Sequence, residues 1–372
     1  MAERIHSLGI STVTGIPDST LKLFCEHVQT SALFSHSVCA NEGAAAGIAI
    51  GSYLATGKPA CVYLQNSGLG NLVNPYTSLA HREVYGIPML LVIGWRGDGI
   101  GPDEPQHKFM GKITLPLLDV LEIQHEILNH DITEQELDEV FQKASAVLKS
   151  GDTFALVVQR GTFEEHPGTH YQNAYSLTQG AAVGAFLKKT DPKDIIVSTT
   201  GKISRELYEK ISSMPERRGQ AFLTVGGMGF ASSIAMGIAK EFPEKRIYCL
   251  DGDGAVLMHM GSLAISGSCG LGNFVHICLN NQAYESVGGM PTGVFQSKYS
   301  DIASACGYKK TWFANTEESF VTALEGAGEM SGPVFIEAML SLSARKDLGR
   351  PKESAKENKH LFQTYHWEDT RE

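Results

Sequence analysis

Short apolar runs alternate along this chain with stretches whose apolar residues recur every three or four positions. In the first half, runs at 11–16, 37–40, 60–65, 89–94 and 154–159 predict buried strands. Stretches at 18–29, 42–55, 70–81 and 133–149 predict the helices between them. In the second half a helix is expected from residue 178, with strands at 195–198, 221–225, 247–250, 274–279 and 333–339. Such alternation implies α/β domains, each a mostly parallel sheet flanked by helices. Periodicity fades over 160–177, where polar, Pro and Gly residues gather, and the division is placed there. The expected organisation is a domain over 1–165, a linker over 166–177, a second domain over 178–345 and a polar arm over 346–372. The arm is expected at the surface, partly disordered or helical where Lys, Glu and Ala cluster.

Composition narrows the class. No apolar run approaches the roughly 20 residues that a membrane span requires, and no signal peptide is apparent, so a cytoplasmic enzyme is expected. A formal net charge of -10 argues against nucleic acid as a partner. It also means that an anionic substrate must be met by a local group of cations. The seven cysteines form no CxxC pair and read as buried thiols, not as disulfides or a zinc site.

The chemistry concentrates between Arg246 and Tyr284. An apolar run at 247–250 breaks into Asp251-Gly252-Asp253-Gly254, a helical pattern resumes near Val256, and a second apolar run ends in Asn280-Asn281. A right-handed βαβ crossover places the carboxyl ends of two such strands at one edge. One carboxylate, one amide oxygen and a backbone carbonyl there suit Mg²⁺, which takes oxygen ligands and keeps places for phosphates. Gly252 and Gly254 would let the backbone approach a diphosphate, and Ala255 and the helix start after it would supply free N–H groups. Taken singly, the glycines also suit a plain turn, and the Asn pair a strand terminator. An EF-hand does not fit, because Ala255, Val256 and Ser262 occupy its fifth, sixth and twelfth positions.

Two further stretches matter. Asn41-Glu42 opens a helix of small and apolar residues expected to be packed on all sides, with Asn41 as cap and Glu42 favoured by the helix dipole. Val225-Gly226-Gly227-Met228-Gly229-Phe230 leads from strand to helix, but as a dinucleotide fingerprint it has Ser232 where the third glycine belongs. Met228 there is equally at home as a core residue. Thr200-Gly201-Lys202 is either a phosphate-side loop or a helix cap.

Gly252-Asp253-Gly254, the spacer and Asn280-Asn281 together resemble the thiamine-diphosphate signature. The resemblance implies two thiamine-diphosphate-binding-fold domains, a pyrimidine-type and a diphosphate-type. It also implies Mg²⁺ held by Asp253, Asn281 and the Ala283 carbonyl. Glu42 would protonate and hold the aminopyrimidine ring, and Met228 would prop the bent cofactor above Gly226 and Gly227. Thr200 would lie on the diphosphate side.

Over nearly the whole chain, Gly15-Ile16-Pro17-Asp18-Ser19, Gln65-Asn66-Ser67-Gly68, Gly94-Trp95-Arg96-Gly97 and Asp103-Glu104-Pro105-Gln106-His107 resemble the phosphonopyruvate decarboxylase family. That likeness implies decarboxylation of 3-phosphonopyruvate in phosphonate biosynthesis, by a homo-oligomer, at least a dimer, with sites between subunits. No adjacent His-His pair occurs, so Asp18 and His107 are expected as the acid/base pair. Ser19, Asn66 and Arg96 are expected at the substrate, Arg96 as the fixed anion contact, while Arg82, Lys108 and Lys112 are expected at the solvated surface. Sulfopyruvate decarboxylation is the nearest alternative. A nicotinamide-dependent dehydrogenase or a non-catalytic thiamine-fold module is the more distant one.

Overall fold

A computed structural model describes residues 1–101, 103–163, 171–287, 289–294, 296–342, 344–345 and 347–367. The chain divides into two compact units, Met1–His170 and Tyr171–Glu372. In the first unit, β1 (Thr12–Gly15), β2 (Ser35–Val38), β3 (Ala60–Gln65), β4 (Met89–Gly94), β5 (Gln124–Leu128) and β6 (Phe154–Val158) form one sheet. Their order is β2-β1-β3-β4-β6-β5, and every pairing is parallel. The central strands β3, β4 and β6 are almost continuously apolar and buried, as a sheet covered on both faces demands.

In the second unit, β7 (Ile195–Ser198), β8 (Ala221–Leu223), β9 (Ile247–Gly252) and β10 (Phe274–Asn280) are followed by a ribbon of β11 (Ala283–Tyr284) and β12 (Met290–Pro291). The strands β13 (Lys310–Ala314) and β14 (Val334–Met339) complete it. The main sheet runs β13-β14-β10-β9-β7-β8, again parallel throughout. Counted from the first strand of each unit, this is the first sheet's order read from the opposite edge. The chain therefore folds the same α/β plan twice.

Several expectations change. The edge strands β5 and β13 were not expected, and β2 begins two residues earlier than the apolar run suggested. The helix after β9 begins at Asp253 itself and stops at Met258, and a second helix covers Gly261–Ser268. The helix Glu42–Thr56 is capped by Asn41 and closed by Gly57 in the left-handed region, but it is not packed on all sides. It buries Glu42, Ala45, Ala46, Ala49 and Ile50, while Ile48 and Leu54 are exposed. One sheet can cover only one face of a helix.

Part of the expected linker, residues 166–170, lies outside the described residues. The rest is bound to the second unit: Asn173 Nδ2 donates to the carbonyls of Asn281 and Leu340, and Ser341 N–H donates to Leu177. The polar arm contains the helix Ala355–Trp367, docked on the edge strand β8. Asn358 bridges Leu223 N–H and the Ala221 carbonyl, and buried His366 meets the Gln220 carbonyl. Covering an edge in this way removes a template for unwanted strand pairing. The cysteines are all free, and no helix of the described residues is long and apolar enough to cross a membrane.

Candidate active site

In open parallel sheets, ligands gather outside the carboxyl ends of the strands, where the chain order reverses. In the second unit that point lies between β7 and β9. The register pairs Leu279 with Gly252, so β9 and β10 deliver Asp253 and Asn280-Asn281 to the same edge. Asp253 starts its helix and is 5% exposed. Its Oδ2 accepts the Thr292 hydroxyl at 3.2 Å, and its carbonyl accepts the Tyr299 hydroxyl at 3.1 Å.

Burial pushes the Asp253 carboxyl up to about 7, against hydrogen bonds from Gly254 N–H, the Thr292 hydroxyl and Gln282 N–H. No side-chain cation of the described residues pairs with it. A buried carboxyl that takes up a proton for want of a counter-charge is what a hard cation would relieve.

The Asn pair divides its labour. Asn280 is 3% exposed and bonded at both ends of its amide: Nδ2 donates to Glu337 at 2.8 Å, and Oδ1 accepts Gln282 N–H at 2.9 Å. Asn281 is only partly buried, with Nδ2 on Glu285 at 2.9 Å and Oδ1 accepting Ala283 N–H at 3.1 Å. Between Asn281 and Ala283, Gln282 sits in the left-handed region at φ 62, which turns the chain sharply.

Close approach explains the glycines. A Cβ on Gly254 would fall 2.6 Å from Tyr284 Cε1 and 3.1 Å from Met228 Cε. One on Gly229 would fall 2.5 Å from the His259 ring. The Gly226–Gly229 turn thus lies against the residues following Gly252, with Met228 beside Gly254 and near Ala255. The Thr200 loop is brought in as well, since Thr199 N–H bonds the Leu250 carbonyl. Gly201, at φ 94, precedes a helix that has no side-chain cap. The seven cofactor positions expected on these loops, together with Thr200 and Asn281, therefore gather at one sheet edge. The sequence reading missed Thr292, Tyr299 and Glu285, which no short motif marks.

The first unit has its own edge. Glu42 is 4% exposed and accepts Asn71 Nδ2 at 2.7 Å, and burial raises its pKa despite that bond. A Cβ on Gly68 would lie 2.2 Å from Glu42 Oε1, so the glycine of Asn66-Ser67-Gly68 makes room for this carboxyl. Asp18, at the end of β1, accepts Thr20 N–H at 2.8 Å and Leu21 N–H at 3.2 Å through Oδ1, while Oδ2 is buried without a partner. Burial raises its pKa too.

Arg96 follows β4. Its guanidinium forks onto Asp103, and Nη1 donates to Ser19 Oγ at 2.9 Å. Burial opposes ionisation of Asp103, but Arg96 and the N–H groups of Glu104 and Gly97 hold its carboxyl well below the usual range. His107 has an unpartnered, buried Nδ1, and burial with the nearby Arg96 charge lowers its pKa. The Trp95-Arg96-Gly97 turn presses on the helix Pro105–Val120 so closely that a Cβ on Gly97 would lie 2.0 Å from the His107 carbonyl. Thr20, Asp98 and Gln106 add further buried polar atoms without partners. Such atoms are uncommon in folded proteins, and a water or a polar ligand would satisfy them.

One expected position reads differently, and Arg82 keeps to the surface as expected. Asn66 is fully buried, and its amide is engaged with the Arg96 backbone and Thr114, so it holds the Arg96 loop. Arg82 precedes β4 and pairs with Glu122 and Asp152, at the opposite end of the sheet from Arg96.

Residues 1–114 match the family described as thiamine pyrophosphate enzyme, N-terminal TPP binding domain, and residues 199–338 match its C-terminal TPP binding domain. A protein of Streptomyces hygroscopicus named phosphonopyruvate decarboxylase is 33% identical, over 98% of this chain and 92% of its own length. One of the same name from Streptomyces viridochromogenes is 32% identical over 97% and 92%. A sulfopyruvate decarboxylase of Methanosarcina acetivorans is 28% identical over 91% and 89%.

Proposed function

The chain belongs to the thiamine-diphosphate-dependent 2-oxo acid decarboxylases of the phosphonopyruvate decarboxylase family, and from this we propose that it converts 3-phosphonopyruvate to 2-phosphonoacetaldehyde and CO₂ with Mg²⁺. The observation that carries the choice of substrate is the full-length likeness to two relatives bearing that name. The anchored guanidinium of Arg96 adds support, since its remaining N–H groups suit a phosphonate oxygen.

In this reading Asp253, Asn281 and the Ala283 carbonyl hold Mg²⁺. Gly226, Gly227, Gly252, Gly254, Ala255 and Thr200 line the diphosphate, and Met228 supports the rings. When bound, thiamine diphosphate supplies the carbon nucleophile and the sink for the electron pair that CO₂ leaves behind. Glu42, whose buried carboxyl keeps its proton more readily than usual, hydrogen-bonds a ring nitrogen of the cofactor. Asp18 is likewise biased toward its protonated form and His107 toward its neutral form. They are therefore suited to deliver a proton to the carbon that lost CO₂ and to remove one as the aldehyde leaves. Ser19 and Asn66 serve by holding Arg96.

The homo-oligomer, at least a dimer, is also part of this proposal. The exposed Ile48 and Leu54 on the helix Glu42–Thr56 support it, and a sedimentation measurement tests it. We place the enzyme in the cytoplasm and in phosphonate biosynthesis. The relative named sulfopyruvate decarboxylase favours a second reading, with a sulfonate in place of the phosphonate. The assay compares CO₂ and aldehyde release from the two acids, with and without thiamine diphosphate and Mg²⁺. At least about tenfold higher kcat/KM for phosphonopyruvate is expected, equivalent to roughly 1.4 kcal/mol of discrimination. A preference for sulfopyruvate overturns the choice.

A further inference from the structure

One buried carboxylate has no part in the chemistry above. Glu337, on β14, is 1% exposed. Both groups that reach its oxygens are donors: Asn280 Nδ2 meets Oε1 at 2.8 Å, and Ser300 N–H meets Oε2 at 2.9 Å. With both oxygens accepting from N–H donors, Glu337 dictates which way the Asn280 amide faces. Asn280 Oδ1 is thereby turned onto Gln282 N–H at 2.9 Å.

From there the bonds return to the acid of the candidate cation site. The Gln282 carbonyl accepts Thr292 N–H at 3.0 Å, and the Thr292 hydroxyl donates to Asp253 Oδ2 at 3.2 Å. The Asp253 carbonyl accepts the hydroxyl of Tyr299, the residue before Ser300. The circuit closes on Glu337. It includes Asp253 on one side and, on the other, the left-handed Gln282 between Asn281 and Ala283. A non-glycine residue in that conformation persists only where its surroundings hold it.

We propose that Glu337 is a positioning residue for the cation site, fixing through Asn280 and the helix Tyr299–Ala305 the separation of Asp253 from the 281–283 turn. This rests on the Mg²⁺ reading given above. Glu337→Gln keeps the shape but turns an NH₂ toward one of the two donors. Asn280→Ala removes the bonds to Glu337 and Gln282, yet leaves Glu337 bonded to Ser300.

The test titrates Mg²⁺ into the full-length apoprotein at saturating thiamine diphosphate, followed by tryptophan fluorescence and calorimetry, with melting of the ligand-free protein in parallel. Each variant is expected to raise the Mg²⁺ midpoint at least about tenfold, as loss of an outer partner of a metal ligand typically does. The double variant should show no more than the larger single shift, and kcat at saturating Mg²⁺ should stay within about threefold of wild type. If Glu337→Gln does not fold, the Asn280→Ala titration decides alone.

A folded variant that melts earlier but keeps the wild-type Mg²⁺ midpoint overturns the proposal, as do additive shifts. A wild type that binds Mg²⁺ and thiamine diphosphate but ignores phosphonopyruvate overturns only the substrate reading. Wild-type cofactor binding that needs no metal overturns both.

Discussion

The two units repeat one strand order but equip their ligand edges differently. In the second unit the edge is built from glycines at close approach and two buried acids, Asp253 and Glu337, in one circuit of bonds. In the first, two buried carboxyls, Glu42 and Asp18, have raised pKa as Asp253 does, but they lie with a forked Arg96–Asp103 pair and with buried polar atoms of Asp18 and His107 that have no partner. The same sheet thus frames two kinds of chemistry. On the proposed reading, one edge holds a metal and a diphosphate rigidly, and the other moves protons and receives an anion. The fold fixes where each site lies, while the loops decide what it does.

If this division is sound, the largest effects should separate cleanly between the edges. Asp253→Ala should abolish Mg²⁺-dependent binding of thiamine diphosphate, measured by calorimetry. Normal affinity in that variant would remove the metal from the second unit's edge. Glu42→Gln should lower kcat by at least about 10²-fold, the low end for a positioned proton-transfer group, with the Mg²⁺ midpoint unmoved. A shift in that midpoint would mean that the edges do not act separately.

A smaller effect belongs to the first edge alone. Asp103→Asn keeps the size of the Arg96 partner but removes its charge and one acceptor. Arg96 should lose its fixed orientation, raising KM for phosphonopyruvate about tenfold with kcat changed less, as expected when a charge-assisted hydrogen bond is lost. A fall in kcat at constant KM would assign Arg96 to the reacting carbon and not to the anion.

Much of this was legible in the residues because buried parallel strands announce themselves as unbroken apolar runs. The central strands of both sheets fall where those runs are. The strands overlooked, β5 and β13, occupy matching edges of the two sheets, where one side has no neighbour. Sequences such as Gln124-His125-Glu126 and Lys310-Thr311-Trp312 carry the polar character that edges tolerate, and the apolar pattern fails with them. The site was legible where short motifs bring residues together along the chain, as at Gly252-Asp253-Gly254. Thr292 and Tyr299 reach Asp253 from 39 and 46 positions away, and Glu337 reaches Asn280 and Ser300 from 57 and 37. No local spacing signals such contacts, because only the folded sheet creates them.

The smallest effect concerns the outer strands next to these edges. In the second unit β8 is covered by the helix Ala355–Trp367, whereas in the first β2 exposes Ser35 and Ser37 and turns His36 inward. The His36 ring stacks on Tyr63 with centroids 5.7 Å apart and bonds its hydroxyl at 2.9 Å. Burial lowers its pKa to about 4. Between that value and the unfolded value of about 6.5, the unfolded chain binds a proton that the folded unit does not. Stability therefore rises with pH through this window, and the contribution of neutral His36 is lost as pH falls from about 6.5 toward 4. His36→Gln keeps a polar partner for Tyr63 but cannot titrate. In urea unfolding, the midpoint of the wild type should fall further between pH 7 and pH 5 than that of the variant. Equal falls would show that the uncovered strand of the first unit owes nothing to a neutral histidine, and the contrast with the helix-covered β8 would then lose its energetic content.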